Sequence, residues 1–468
     1  MTSLSTAGPL VIIAGAGIGG LLLAQLLERA GISYHVFERA AKVKPLGAAT
    51  TLRPTVLPIF EQLGMMEELE RISVELETAQ VRDEKLRVIG TVGMKRQREI
   101  SGYQSLLFVR PDFYDLLLSR VTVAKISFGK KILKVEENEE TGKVVIHCSD
   151  NSAYEGDILV GADGAYSAVR QNIYKKAKEQ GVLPKSDSED LIAGFTTMVG
   201  VTAPLDLDNY PDLKDGKCHS EFVIGGMSHS WALMQVPGAR VAWACSLQYQ
   251  DPEDAKRHMF KSSEWGSESI GPMLNEFRQQ PSPYGGILGD IFDATPQDTI
   301  SKVYLEHKMF ETWFYKRSVL IGDACHKMLP AAGQGAVNAL QDAVILANCL
   351  YDLKDNSQKS ITDAFKSYYD QRYGYAKAHY ESSKMYMKLI GGSNWTDKLA
   401  RTIVLKYLPE SILQRQLAKA ASYRPQVNFL PQVEPRGSGP VLAQFPSKRY
   451  TREQQEKDKN EKKDPVVV

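Results

Sequence analysis

Glycines at fixed spacing open the chain's chemistry. "PLVIIAGAGIGGLLLAQLLERAG", Pro9 to Gly31, carries no charge between Pro9 and Leu27 and places Gly15, Gly17 and Gly20 in G-x-G-x-x-G spacing. Gly15 and Gly19 also stand in G-x-x-x-G spacing, the pattern that lets two membrane helices approach closely. A spanning helix would have to hold four glycines in six residues, each about 1 kcal/mol worse than Ala in a helix. A secretory signal needs a basic n-region, and "MTSLSTAGPL" has no Lys or Arg. The remaining reading is a buried strand over Leu10–Ala14, a glycine turn, a helix over Ile18–Ala30 stopped by Gly31, and a second strand, "SYHVFER", that reaches Glu38. Gly15 then allows the turn, Gly17 lets a pyrophosphate touch the backbone, and Gly20 brings helix against strand. The helix start offers free N–H groups to phosphates, and Glu38, with Arg39 beside it, falls where an acid meets the ribose hydroxyls of an adenosine.

Two later stretches share this logic. In "GDILVGADGAYSAVR" a short apolar strand, Ile158–Val160, feeds a turn at Asp163-Gly164. In "RSVLIGDACHKMLPAAGQGAVNALQDAVILANCLYDL" a strand at Ser318–Ile321 ends in Gly322-Asp323, and a second glycine loop, Gly333 to Gly335, opens a helix from about Val337 to Leu353. N–H groups at that helix start can stabilise negative charge.

Composition narrows the alternatives. With 57 basic against 56 acidic residues, nothing favours nucleic acid or an anionic membrane. Five cysteines without a C-x-x-C pair fit a reducing, cytoplasmic setting. The eight histidines show no metal-ligand spacing, so no metal is expected. No serine-hydrolase elbow or Walker loop is present. The chemistry must come from the dinucleotide.

Together, "GAGIGG" with Glu38, "GADGAYSAVR" and "GDACHKMLPAAGQGAVNALQDA" resemble the single-component, para-hydroxybenzoate hydroxylase-type flavoprotein monooxygenases. More narrowly, the chain looks like their fungal, PaxM-like members, which hydroxylate or epoxidise aromatic and isoprenoid metabolites. The resemblance spans residues 8 to 430 and implies an α/β fold: a discontinuous Rossmann-type FAD-binding domain (8–75, 100–182, 300–385), an inserted β-sheet substrate domain (76–99, 183–299) and C-terminal helices (386–430). It implies bound FAD and transient NADPH or NADH, with O2 activated as a flavin C4a-hydroperoxide and a small organic molecule as substrate. Glu38 would hold the adenosine ribose, Arg110 of "FVRPDFYDLLL" would contact FAD, and Asp163 would serve both FAD and the nicotinamide cofactor. Gly322 and Asp323 would meet the ribityl or pyrophosphate region, while backbone at Thr51, Gly335 and Ala336 would approach the flavin. The chain departs from its relatives at "TTLRPTVLP", with Arg53 and Thr55 where they more often carry Gly and Asn. His326 reads as structural rather than as a base, and no catalytic residue is assigned.

The same fold also serves flavin oxidases, halogenases and non-catalytic prenyl-binding escort proteins, although the halogenase W-x-W-x-I-P signature is absent. In "SWALMQVPGARVAWACSLQYQ", Pro237-Gly238 separates two strands, and Val241, Trp243, Cys245, Leu247 and Tyr249 share one face. That face is either core or the wall of a substrate pocket. "TDKLARTIVLKYLPESI" reads as an amphipathic helix, and residues 431–468 read as an extended or disordered tail whose end, from Ser447, is a charge run.

Overall fold

A computed structural model describes residues 8–42, 49–225, 228–249, 270–330, 333–391, 401, 403–404 and 410–461. The uncharged opening run breaks as its glycines require, into the strand Leu10–Ala14 and the helix Ile18–Arg29. Val11, Ile12, Ile13 and Ala14 are buried on both faces, the mark of a central parallel strand. It lies between Ser33–Phe37 and Ile158–Gly161, both parallel to it, and Ser318–Leu320 extends the sheet beyond Ile158–Gly161. Ala14 pairs with Phe37 and with Gly161, and Gly161 pairs with Leu320. Four carboxyl ends therefore line up, and the loops that follow leave the same edge of the sheet. That edge is where open α/β sheets bind ligands.

A larger, ten-stranded sheet runs from His326–Lys327 at one edge to Ala49–Leu52 at the other. Its central strands are Ile192–Val201, Arg240–Gln248, His229–Val236 and Cys218–Ile224. Alternation gives the sheet two unlike faces. Val241, Trp243 and Cys245 point to one of them, where they are fully buried with Met198, Leu233 and the helices Gly271–Phe277 and Leu288–Asp293. Trp243 donates from Nε1 to Thr295 Oγ1 at 2.9 Å and stacks obliquely on Phe292. The stripe is core, not pocket wall. On the opposite face Ala242, Met234, Val236 and Val201 pack against Leu107 and Val109 of the strand Leu106–Val109. Farther along that face Val199, Phe222, Ala232, Ala244, Val303 and Leu305 are only half-buried.

Among the described residues no helix is long and apolar enough to cross a membrane. The "TDKLARTIVLKYLPESI" segment falls mostly outside them. The charged end differs from expectation, since Lys448–Glu461 is helical rather than disordered. Composition alone gave that segment no reason to order, but three anchors hold it. Ser447, almost fully buried, accepts from Tyr450 N–H as a helix cap and donates to Asp352 at 2.6 Å. Arg449 pairs with Glu453 at 2.8 Å, one turn on, and lies over the Tyr351 ring. Tyr351 in turn stacks on Phe429. Truncation after Pro446 removes the cap and the cation–π contact together and is expected to lower the melting temperature by about 2–5 °C. Thermal unfolding followed by circular dichroism checks this, and an unchanged melting temperature would return the segment to the status of a passive tail.

Candidate active site

The first glycine loop shows which glycines the protein itself requires. Gly15 has φ +102°, and a Cβ there would stand 2.5 Å from Ala162 O. A Cβ on Gly20 would lie 2.1 Å from Gly15 O, and one on Gly19 would press Ala339 of the later helix at 3.3 Å. Gly17 is different: its backbone is extended, and the nearest atom to an added Cβ is Ala162 O at 4.0 Å. Nothing among the described residues demands a glycine there, whereas a phosphate lying against the backbone does. Gly17 also heads a 12-residue helix that no side chain caps, so its first N–H groups remain available.

Glu38 leaves the end of Ser33–Phe37 and braces this loop, accepting from Ala16 N–H at 2.8 Å and Ala40 N–H at 2.9 Å. Arg39 beside it is exposed. Arg110 is exposed as well, at the first position of the helix Arg110–Leu118, so it lies beside Ala49 rather than in the glycine loop. One turn along that helix Tyr114, which sequence reasoning missed, has a buried hydroxyl without a hydrogen-bond partner. Burial and the Glu38 charge push its pKa up to about 12, which keeps it a neutral donor. The i, i+4 spacing from Arg110 was the available signal.

Asp163 sits in the turn after Ile158–Gly161, against Gly15. Its Oδ2 accepts from Val169 N–H at 3.1 Å, while Oδ1 is buried with no partner. Burial raises its pKa. Gly322, at φ +61°, turns the chain after Ser318–Leu320, and Asp323 is half-buried and met by Lys327 at 2.6 Å. Thr51 faces the second glycine loop, 3.9 Å from a Cβ on Gly333. Gly335 and Ala336 open the helix Gly335–Tyr351, which no side chain caps, and the neighbouring Gln334 Oε1 is buried and unpartnered.

A buried ion network lies behind these loops. Asp342, wholly buried, accepts from Gly322 N–H at 2.9 Å, from His326 Nε2 at 2.6 Å and from Arg372 Nε at 2.8 Å. Burial alone would raise the Asp342 pKa, but the His326 and Arg372 charges outweigh it and hold the carboxyl down to about 2. His326, equally buried, is therefore part of the scaffold. Cys325, His326 and Asp342 have ligand atoms within 4.8 Å of one another. The thiol is engaged by Gly322 O at 3.4 Å, and His326 Nε2 and the Asp342 carboxylate by each other and Arg372, while His326 Nδ1 is buried without a partner.

The residues fit FAD. An open backbone cradle at Gly17, an acid and a buried phenol beside it, and unpartnered oxygens on Asp163 and Gln334 offer sites for polar groups that the described residues do not supply. Two substitutions separate folding from binding. Gly20→Ala is expected to lose both, because backbone must move by more than an ångström to admit the methyl group. Gly17→Ala is expected to keep its stability within about 1 kcal/mol while binding FAD at least tenfold more weakly. Urea unfolding of the apoproteins and FAD titration by fluorescence measure the two effects, and tight FAD binding by Gly17→Ala would refute the cradle.

Over residues 10–198 and 286–381, more than half of its length, the chain matches the FAD binding domain family. The FAD-dependent monooxygenase ausM of Emericella nidulans is 30% identical over 458 residues, covering 93% of this chain and 89% of the relative. The FAD-dependent monooxygenase atmM of Aspergillus flavus is 28% identical over 457 residues, covering 94% and 90%. Among solved structures, Klebsiella pneumoniae HpxO complexed with FAD and uric acid superposes with a TM-score of 0.72 at 21% identity, covering 90% of this chain and 98% of that one. Identity near 30% along nearly the whole length, on a fold with a formed cofactor cradle, makes the conclusion direct: the chain belongs to the FAD binding domain family and is an FAD-dependent monooxygenase.

Proposed function

We propose that the enzyme takes electrons from NADPH or NADH and places one oxygen atom of O2 on a small, largely apolar aromatic or isoprenoid molecule, by hydroxylation or epoxidation. The observation that carries this reading is the half-buried face of the large sheet. It is framed by strands of the cofactor loops: Ala49–Leu52 with Leu106–Val109 at one edge, and His326–Lys327 at the other. Between these edges the described residues of the face include Val199, Phe222, Met234, Ala244, Val303 and Leu305, with the paired hydroxyls of Thr197 and Ser246 among them. An apolar molecule gains burial there at about 25 cal/mol per Å², and a charged one would lose its hydration. The substrate part of the chain is then 76–99 with 183–299, laid over a cofactor part made of 8–75, 100–182 and 300–385.

Bound FAD supplies the oxygenating chemistry, and the side chains hold and shield it. Glu38 receives the ribose hydroxyls through the lone pairs its two backbone bonds leave free. Arg39 and Arg110 offer exposed cations for a phosphate, of FAD or of the transient nicotinamide cofactor. Asp163 and Asp323 accept hydroxyl or ring donors at the sheet edge. N–H groups at Gly335 and Ala336 would stabilise negative charge on a flavin ring held there. With one G-x-G-x-x-G in the chain, the nicotinamide cofactor binds transiently at the surface.

Incubation with NADPH and ¹⁸O2 over a panel of phenols, indoles and prenylated aromatics tests the proposal by mass spectrometry. At least one member is expected to gain a single heavy oxygen in step with NADPH consumed. Peroxide equal to the NADPH consumed with every member that stimulates turnover would identify an oxidase instead.

A further inference from the structure

A histidine on the long helix Gln358–Gly391 has its tautomer fixed by its neighbours. Asn338, in the first turn of Gly335–Tyr351, donates from Nδ2 to Gln334 O at 2.8 Å and accepts at Oδ1 from Arg372 Nη2 at 2.9 Å. A backbone carbonyl only accepts and a guanidinium only donates, so this amide has one possible orientation. His379 Nδ1 lies 3.1 Å from the same Oδ1. An oxygen already committed to accepting requires the hydrogen on Nδ1. Nε2 of the neutral ring is left with its lone pair, and it makes no hydrogen bond with any described residue, on a side chain only half-buried.

The ring's neighbours lie next to the cofactor segments. Asn338 lies two residues beyond Ala336 in the same first turn, and Arg53, whose charge acts on His379, lies two residues beyond Thr51. Both segments are those assigned to the flavin ring. The charged and titratable groups facing the imidazole are Arg372 on its own helix, Arg53 beyond the strand Ala49–Leu52 and His326 beside the Gly322 turn. Asp342 is taken up by Arg372 and His326. Burial first, then these cations, lower the pKa of His379 to about 4. So weak a base leaves a phenol or indole protonated. It can still receive a hydrogen bond from one.

We propose that His379 Nε2 is a substrate-positioning acceptor, which takes a hydrogen bond from an O–H or N–H of the substrate at the flavin and so selects molecules that carry such a donor. No proton is transferred; the hydrogen stays on the substrate. The inference rests on the monooxygenase site proposed above and adds a requirement that an apolar sheet face alone does not impose.

Matched probes test it in the full-length, FAD-loaded protein. The pairs are 2-naphthol with 2-methoxynaphthalene and indole with 1-methylindole, titrated by the change in flavin absorbance. The donor member of at least one pair is expected to bind about tenfold more tightly. His379→Phe is expected to abolish that preference without weakening the methylated member, and His379→Gln, which restores an acceptor, to recover part of it. The sign with pH follows from the lowered value: the acceptor is present above about pH 4–5 and becomes a donor as pH falls through about 4, so the preference fades on acidification. Equal affinity within both pairs in the unmodified enzyme, absence of binding by all four probes, or a preference that survives His379→Phe overturns the proposal. An unmodified protein that cannot be loaded with FAD defeats the monooxygenase reading itself, whereas a flavin-loaded protein blind to the donor defeats only the role of His379.

Discussion

The architecture depends on one buried carboxylate. Removing an aspartate from water costs several kcal/mol, and the cost is offset only when its lone pairs are met by donors of good geometry. Asp342 meets that condition with donors from three places: the Gly322 N–H, the His326 ring and the Arg372 guanidinium. One side chain thus fixes the left-handed turn after Ser318–Leu320, the helix Gly335–Tyr351 on which it sits, and the long helix that carries Arg372. Arg372 passes the constraint on to Asn338, and Asn338 orients His379. The second glycine loop is held from behind, so the side facing the cofactor needs no protein partner.

The first glycine loop is held differently, by backbone contact rather than charge. Gly15 and Gly20 allow strand, turn and helix to approach at distances no side chain tolerates, and Glu38 ties the turn to the next strand. The two loops meet where the helices touch at Gly19 and Ala339. A rigid edge built in two independent ways can present open N–H groups without collapsing onto them, the preorganisation that binding a large anionic cofactor requires. The large sheet then spans both constructions, and its half-buried face inherits their placement.

How much of this was legible in the sequence depended on range. The opening strand, turn, helix and acid are local, and the stereochemical reasons for Gly15 and Gly20 are visible in the backbone, whereas the reason given for Gly17 lies in a ligand. Family membership was legible from the three motifs together. The sheet strand at Arg240–Gln248 was readable too, but alternation says only that Val241, Trp243 and Cys245 share a face, not which face is core; two helices from residues 271–293 decided it. The ordered end escaped because its anchors, Asp352 and Tyr351, lie about a hundred residues earlier. Tyr114 and the Asp342 network escaped for a related reason. A buried polar group is recognised by what surrounds it, and its partners Gly322, His326 and Arg372 lie 20, 16 and 30 residues away in the chain.

Hydrogen exchange at the Gly322 amide, compared with that of Gly15 in the same protein, tests the central role of Asp342 most directly. In the unmodified enzyme both amides are expected to exchange slowly, one held by Asp342 and the other by Phe37 O. Asp342→Asn removes the charge that compensates Arg372, and exchange at Gly322 is expected to quicken on the order of a hundredfold, equivalent to about 3 kcal/mol. Gly15 should remain slow, and FAD affinity should fall with the loss of protection at Gly322. Unchanged exchange at Gly322 with undiminished FAD binding would contradict the account.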